Sequence, residues 1–215
     1  EWAKHGLADG YGVDPDKVTV IAPGVDVAHW SAPRAQPDGD ADPDVVRFLF
    51  VGGDLRRKGG DHLIAAFGRL RAQYGDAVEL HLATGTEIEP ADGVSVHHGL
   101  RPNTDELIAL FQRCDVFCLP TLGDCLPMVL PEAAAAGLAT VSTAVGAIPE
   151  IVRDDETGLL VEVGSVDQIA AALERLAGDP ELRRRLAANA ADLVGRDHDA
   201  GTNAGRIVDT LRAVA

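Results

Sequence analysis

Three consecutive cations, Arg56, Arg57 and Lys58, stand inside the run Gly52-Gly53-Asp54-Leu55-Arg56-Arg57-Lys58-Gly59-Gly60. They stand out in a chain whose formal net charge is −15. Glycine lets a backbone come close to a ligand, and helix N-termini and lysine both favour anions. The run therefore has the outline of a phosphate site. A solvated basic turn with capping glycines is the plainer account, and composition alone slightly favours it. The run matches neither of the common phosphate fingerprints, G-x-x-x-x-G-K-[ST] and G-x-G-x-x-G. A second run, Pro120-Thr121-Leu122-Gly123-Asp124-Cys125-Leu126-Pro127-Met128-Val129-Leu130-Pro131-Glu132, brackets an apolar loop with two carboxylates. A carboxylate at the end of such a loop can accept hydrogen bonds from vicinal hydroxyls of a ribose or hexose. Taken singly, each acid has a simpler account: Asp124 as a turn residue, Glu132 as a first-turn acid complementing a helix dipole. Residues 144–150 (AVGAIPE) form a third glycine-containing turn, whose plain reading is an ordinary strand-to-helix connection. His97 and His98 are adjacent on an extended segment and point to opposite faces, which argues against joint metal ligation. No nucleophile elbow and no Ser/His/Asp arrangement is evident.

These runs need elements to hold them, and the hydrophobic pattern supplies them. Residues 45–51 (VVRFLFV) form a continuous apolar run ended by glycines, the pattern of a strand buried on both faces. Further strands are expected at 78–83, 94–97, 116–119, 139–143 and 159–163. Helices are expected at 62–70 with Asp61 as N-cap, at 104–113, at 131–136 closed by Gly137, at 166–176, after Pro180, and at 200–214. Alternation of apolar strands with amphipathic helices predicts an α/β fold with a doubly wound, Rossmann-like parallel sheet. Ligands of such sheets bind beyond the carboxyl ends of the strands, where both candidate runs begin. Residues 34–44 (RAQPDGDADPD) read as an exposed acidic loop, and residues 1–30 as a lead-in to the first core strand.

Bulk properties narrow the function classes. With 215 residues and 46% apolar side chains, the chain suits one large domain with a packed core. The acidic balance argues against a nucleic-acid partner and against a broad anionic-membrane footprint. Three cysteines, Cys114, Cys118 and Cys125, fit reduced, partly buried thiols of a cytoplasmic protein better than a disulfide scaffold or a zinc site. No apolar run approaches a membrane span and no signal peptide is seen. The start at Glu1 suggests a fragment.

Several segments, taken together and in order, resemble the C-terminal donor-binding domain of the family 4 retaining glycosyltransferases, which have the GT-B architecture. They are VTVIAPGVD from Val18, FLFVGGDLRRKGGDHLIAAF from Phe48, DVFCLPTLGDCLPMVLPEAAAAGLATVSTAVGAIPEIV from Asp115 and TGLLVEVGSVDQIAAAL from Thr157. The resemblance covers roughly residues 1–180. It implies a nucleoside diphosphate sugar as donor, with Lys58 on the diphosphate, Glu132 on the ribose hydroxyls and Asp124 on the donor sugar. It also implies backbone N–H groups of Met128 and Val129 facing the phosphates and sugar, Gly52 and Gly53 in the phosphate loop, and residues 99–101, with Arg101, near the base. The chain departs from the family pattern at Asp124, usually Glu, and at Gly53, often Arg; Arg57 or Arg56 is the candidate replacement cation. Pro127 has no N–H to donate, and Pro131 is expected to restart the helix before Glu132. By the same resemblance, residues 1–30 are the link from an N-terminal acceptor domain, 31–198 the donor domain, and 199–215 a helix packing back towards the acceptor domain. No catalytic residue is assigned in this chain, which is expected to be inactive without the acceptor domain. No cofactor and no metal is implied, and membrane contact is expected only through the acceptor domain. Two alternatives remain: a nucleotide-sugar epimerase of GT-B architecture, and a non-catalytic nucleotide-sugar-binding module.

Overall fold

The apolar run after residue 45 becomes β1 (Val46–Val51), and its side chains reach both faces of a sheet. The computed structural model describes residues 1–33, 42 and 44–213. The expected acidic loop at 34–44 lies almost entirely outside these residues, as does the end of the expected last helix. The other strands are β2 (Val78–Ala83), β3 (Val94–His97), β4 (Val116–Leu119), β5 (Ala139–Thr143) and β6 (Leu159–Val161). All pair in parallel, in the order β3-β2-β1-β4-β5-β6. This is the doubly wound order in which the chain runs outward one way from β1, then returns and runs outward the other way from β4. The crevice between β1 and β4 is thereby the switch point.

Eight α-helices accompany the sheet among the described residues: α1 (Trp2–Tyr11), α2 (Val27–Ser31), α3 (Gly60–Tyr74), α4 (Asp105–Gln112), α5 (Val129–Ala135), α6 (Val166–Gly178), α7 (Pro180–Asp197) and α8 (Ala200–Ala213). In α3, Leu63, Ala66, Phe67 and Leu70 are buried at helical spacing, the stripe that seats it on the sheet. Phe48 of β1 meets Phe67 of α3 edge-on at 6.3 Å. Phe117 of β4 stacks on Phe111 of α4 at 5.5 Å, and Phe111 meets Trp30 of α2 at 5.1 Å. Phe117 is level with Leu49, not with Phe48, so the two aromatic clusters lie on opposite faces of the sheet. Each face is thus covered by helices, which is why the strands are mostly apolar and polar members such as Arg47, His81 and Ser142 are themselves buried.

Several boundaries differ from the sequence expectation. The first long helix starts at Gly60 with Gly59 as N-cap; Asp61 lies inside the first turn, 3.5 Å from Arg56. Gly59 can cap there because its φ of +78° favours glycine. The helix carrying Glu132 starts at Val129, so Pro131 does not restart it. Pro131 falls in the first turn, where a missing N–H costs no intrahelical bond. Gly137 does adopt positive φ after that helix. The last strand ends at Val161, with Val163 exposed.

Residues 1–33 are more structured than a lead-in suggests. Val25 and Trp30 belong to the core, and Gln112 donates from Nε2 to the carbonyls of Trp30 and Ala32. Val25 N–H donates to the His198 carbonyl at 2.8 Å, and Ala200 N–H to the Val25 carbonyl at 2.9 Å. That bridge pins the segment before α2 to the start of α8. Among the described residues no helix is long and apolar enough to cross a membrane.

Candidate functional site

Parallel strands aim their carboxyl ends at one edge of the sheet, and the loops leaving β1 and β4 meet there because those strands are neighbours. The meeting is held by hydrogen bonds between loop backbones. Leu122 N–H donates to the Arg57 carbonyl at 2.9 Å, and Thr121 Oγ1 donates to the same carbonyl at 3.2 Å. Thr121 is fully buried, and its own carbonyl accepts from Thr143 Oγ1 at 2.7 Å. The loop after β5 is tied in as well, through Ala147 N–H to the Cys125 carbonyl at 2.8 Å. Two glycines make the fit possible. A Cβ at Gly59 would stand 1.9 Å from the Pro120 carbonyl oxygen, and one at Gly146 would stand 2.5 Å from the carbonyl oxygens of Asp124 and Cys125. Both have positive φ.

This framework brings Lys58 onto Asp124. Lys58 Nζ donates to Asp124 Oδ2, and both side chains are largely enclosed, at 15% and 14% exposure. Arg57 joins the pair: its guanidinium lies 3.8 Å from Asp124 Oδ2, bonds the Gly123 carbonyl at 2.9 Å and bonds Asp54 Oδ2 at 3.2 Å. Of the two candidate replacement cations, Arg57 therefore sits in the cluster, while Arg56 points outward to Asp61. A Cβ at Gly53 would meet no described atom within 4 Å.

Glu132 sits in the first turn of α5. Its half-buried carboxylate makes no hydrogen bond or ion pair among the described residues. Burial raises its pKa from 4.5 to about 7. A desolvated acceptor without a protein partner is suited to hydroxyl donors from outside. Met128 is the N-cap residue of α5 and Val129 its first residue, so their N–H groups belong to the helix's opening turn, which no side chain caps.

Beside the cation cluster, the strand ends of β1, β2 and β3 enclose a cavity of about 350 Å³. Gly52, Gly53, Thr84, Gly85, Gly99 and Leu100 contribute to its lining. Gly52 and Gly53 thus border the cavity that residues 99–100 also line. The Arg101 side chain is exposed and does not line it, while the Arg101 carbonyl accepts from Thr104 Oγ1 at 3.0 Å. The cavity also meets a histidine pair whose second member, His81, the sequence pattern did not single out. His97 borders the cavity, and its Nε2 lies 3.1 Å from Nδ1 of the buried His81. Burial, then His97, lowers the His81 pKa from 6.5 to about 4; burial also lowers that of His97. His98 instead turns to the Thr84 carbonyl at 2.9 Å, so the adjacent histidines do diverge. Among the described residues no group of three or more His, Cys, Asp or Glu gathers as for a metal ion. Cys114 and Cys118 are buried, and Cys125 is exposed.

The family described as Glycosyl transferases group 1 matches residues 33–193. The chain belongs to the glycosyl transferases group 1 family. It is 32% identical over 216 residues to D-inositol 3-phosphate glycosyltransferase of Stackebrandtia nassauensis, covering 88% of this chain and 47% of that protein. This glycosyltransferase chain therefore spans about half the length of the curated relatives it matches. Its fold is similar to the C-terminal domain of a glycosyl transferase group 1 family protein from Francisella tularensis, with TM-score 0.68 and 24% identity over 82% of this chain and 99% of that one. It is also similar to Anabaena HepE in complex with UDP-glucose, with TM-score 0.77 and 18% identity over 98% of this chain and 61% of that one. The six-stranded parallel sheet with flanking helices is the Rossmann-like fold of GT-B glycosyltransferases, in keeping with the retaining family 4.

Proposed function

We propose that this chain binds the nucleoside diphosphate sugar donor of a retaining glycosyltransferase, in the crevice between the loops after β1 and β4. The observation that carries the reading is the convergence of Lys58 and Arg57 on one carboxylate where the loops after β1 and β4 meet, beside a cavity of about 350 Å³ at the ends of β1, β2 and β3. Cations at that point suit a diphosphate, and the glycine-rich cavity suits a nucleobase. Glu132 takes the ribose hydroxyls, since its desolvated carboxylate has acceptor capacity to spare. Asp124 takes hydroxyls of the donor sugar, and the amides of Met128 and Val129 face the phosphates.

Transfer then draws on electrostatic stabilisation of the leaving diphosphate by Lys58, Arg57 and the α5 amides. No residue of this chain is assigned as base or nucleophile, and no metal or other cofactor is invoked. The acceptor half of the enzyme is the partner of this domain. Its presence is supported by the length of the relatives and by exposed Ile207, Val208 and Leu211 along α8. The reading carries a cytoplasmic location.

Calorimetric titration with UDP, GDP, ADP and their sugar conjugates tests the reading. One base binds, and Lys58→Ala weakens that binding by about 1.5–3 kcal/mol, the scale of a hydrogen bond to a charged group. Equal affinity in variant and parent would remove Lys58 from the site.

A further inference from the structure

Asp124 is not simply a carboxylate near the site. It is the anion that both site cations already hold, Lys58 by a direct bond and Arg57 at 3.8 Å. Its side chain is enclosed and its backbone is fixed on both sides. Gly123 N–H donates to Thr121 Oγ1, and the Asp124 carbonyl lies against Gly146, where no Cβ fits. Asp124 Oδ1 also accepts from Cys125 N–H at 3.0 Å, so the carboxylate is held beside the cations when a second anion arrives. A diphosphate that takes Lys58 and Arg57 must displace Asp124 from them or lie beside it.

We propose that Asp124 is a built-in competitor of the diphosphate, and that it makes the site prefer a nucleoside diphosphate sugar over the bare nucleoside diphosphate. The inference rests on the donor-binding reading above. A bare nucleoside diphosphate ends in a terminal phosphate that carries extra negative charge and offers no neutral donor. It meets the Asp124 carboxylate as like charge at short range, which disfavours binding. In the sugar conjugate that phosphate is esterified, its charge is lower, and the hexose brings hydroxyl donors to the same place. The carboxylate, released from Lys58 by the diphosphate, then accepts from those hydroxyls. The spent nucleotide is expelled by the same group that holds the donor.

The test compares this chain with Asp124→Asn, which keeps the side-chain shape and removes the charge. UDP, GDP and ADP are titrated alongside UDP-glucose, GDP-mannose and ADP-glucose. For the base that binds, Asp124→Asn should bind the bare diphosphate about tenfold more tightly, the coupling scale of a close, desolvated charge pair. Its preference for the sugar conjugate should fall in parallel. Lys58→Met in the same background should abolish the gain. A bare diphosphate that binds the parent, and binds Asp124→Asn equally or more weakly, overturns the proposal and leaves the donor-binding reading standing. Binding of no nucleotide to parent or variant overturns the donor-binding reading, and the inference with it. Asp124→Ala serves as the second variant. If both variants lose cooperative thermal unfolding, Asp124 is a structural group and the proposal is overturned as well.

Discussion

Replacing Glu132 by Gln perturbs one charge at constant shape, and its effect has a sign fixed by the structure. The carboxyl is desolvated, so its pKa rises from 4.5 to about 7. A carboxyl with a raised folded-state pKa binds its proton more tightly when folded. It contributes stability that is fully present below about pH 4.5 and is lost as pH rises to about 7. At about 1.36 kcal/mol per pH unit, that interval corresponds to roughly 3 kcal/mol, and solvent access to the half-buried side chain reduces it to roughly 2. Glu132→Gln removes the term at every pH. Urea unfolding of parent and variant near pH 8 and near pH 4.5 gives a double difference in which the packing of the amide cancels. The variant should gain roughly 2 kcal/mol relative to the parent at the higher pH. Ligand linkage gives a second readout. If nucleotide hydroxyls donate to this carboxylate, binding favours its ionised form. At about pH 7, where the group is half protonated, binding should release roughly half a proton. Titration in buffers of different ionisation enthalpy measures that proton, and Glu132→Gln should abolish it. A double difference near zero, or of opposite sign, would refute the desolvation argument. Proton release unchanged in the variant would refute the hydroxyl contact.

His81 should titrate in the opposite sense. Its folded pKa is depressed from 6.5 to about 4, so its contribution is present above about pH 6.5 and is lost as pH falls towards 4. In the parent this slope offsets much of the Glu132 slope, and His81→Gln should expose a fall in stability with rising pH that the parent's urea midpoints do not show. Gly59→Ala should cost at least about 2 kcal/mol of unfolding free energy and weaken nucleotide binding, because its Cβ collides with the Pro120 carbonyl and φ is +78°. Unchanged thermal stability would contradict that collision. Trp30→Ala should cost about 3–5 kcal/mol, the usual range for a buried aromatic, because Trp30 fills the core against Phe111. A cost under about 1 kcal/mol in urea unfolding would show that residues 1–33 fold apart from the sheet.

The strands were legible because runs rich in Val, Leu and Phe stand between breakers, and β1, β4 and β5 are buried on both faces even where they carry polar residues such as Arg47 and Ser142. The long helices were legible from their stripes; their starts were not always, because local capping rules favour Asp61 where the structure uses Gly59. That choice belongs to the loop, whose close approach to Pro120 admits only glycine. The packing of residues 1–33 was hidden for a similar reason. Trp30 reads as an isolated aromatic until α4 brings Phe111 to it.

The candidate site divides the same way. The sequence by itself determined that a basic, glycine-rich loop follows one buried strand, that two carboxylates flank the loop after another, and that both loops leave the same edge of a parallel sheet. Only the tertiary structure decided that Lys58 and Asp124, 66 residues apart, are hydrogen-bonded, that Glu132 has no partner among the described residues, and that His81 and His97 face each other. Periodicity and burial are local properties, so a chain of residues carries them openly. Which loops meet depends on strand order, and β1 pairs with β4 although β2 and β3 come between them in sequence.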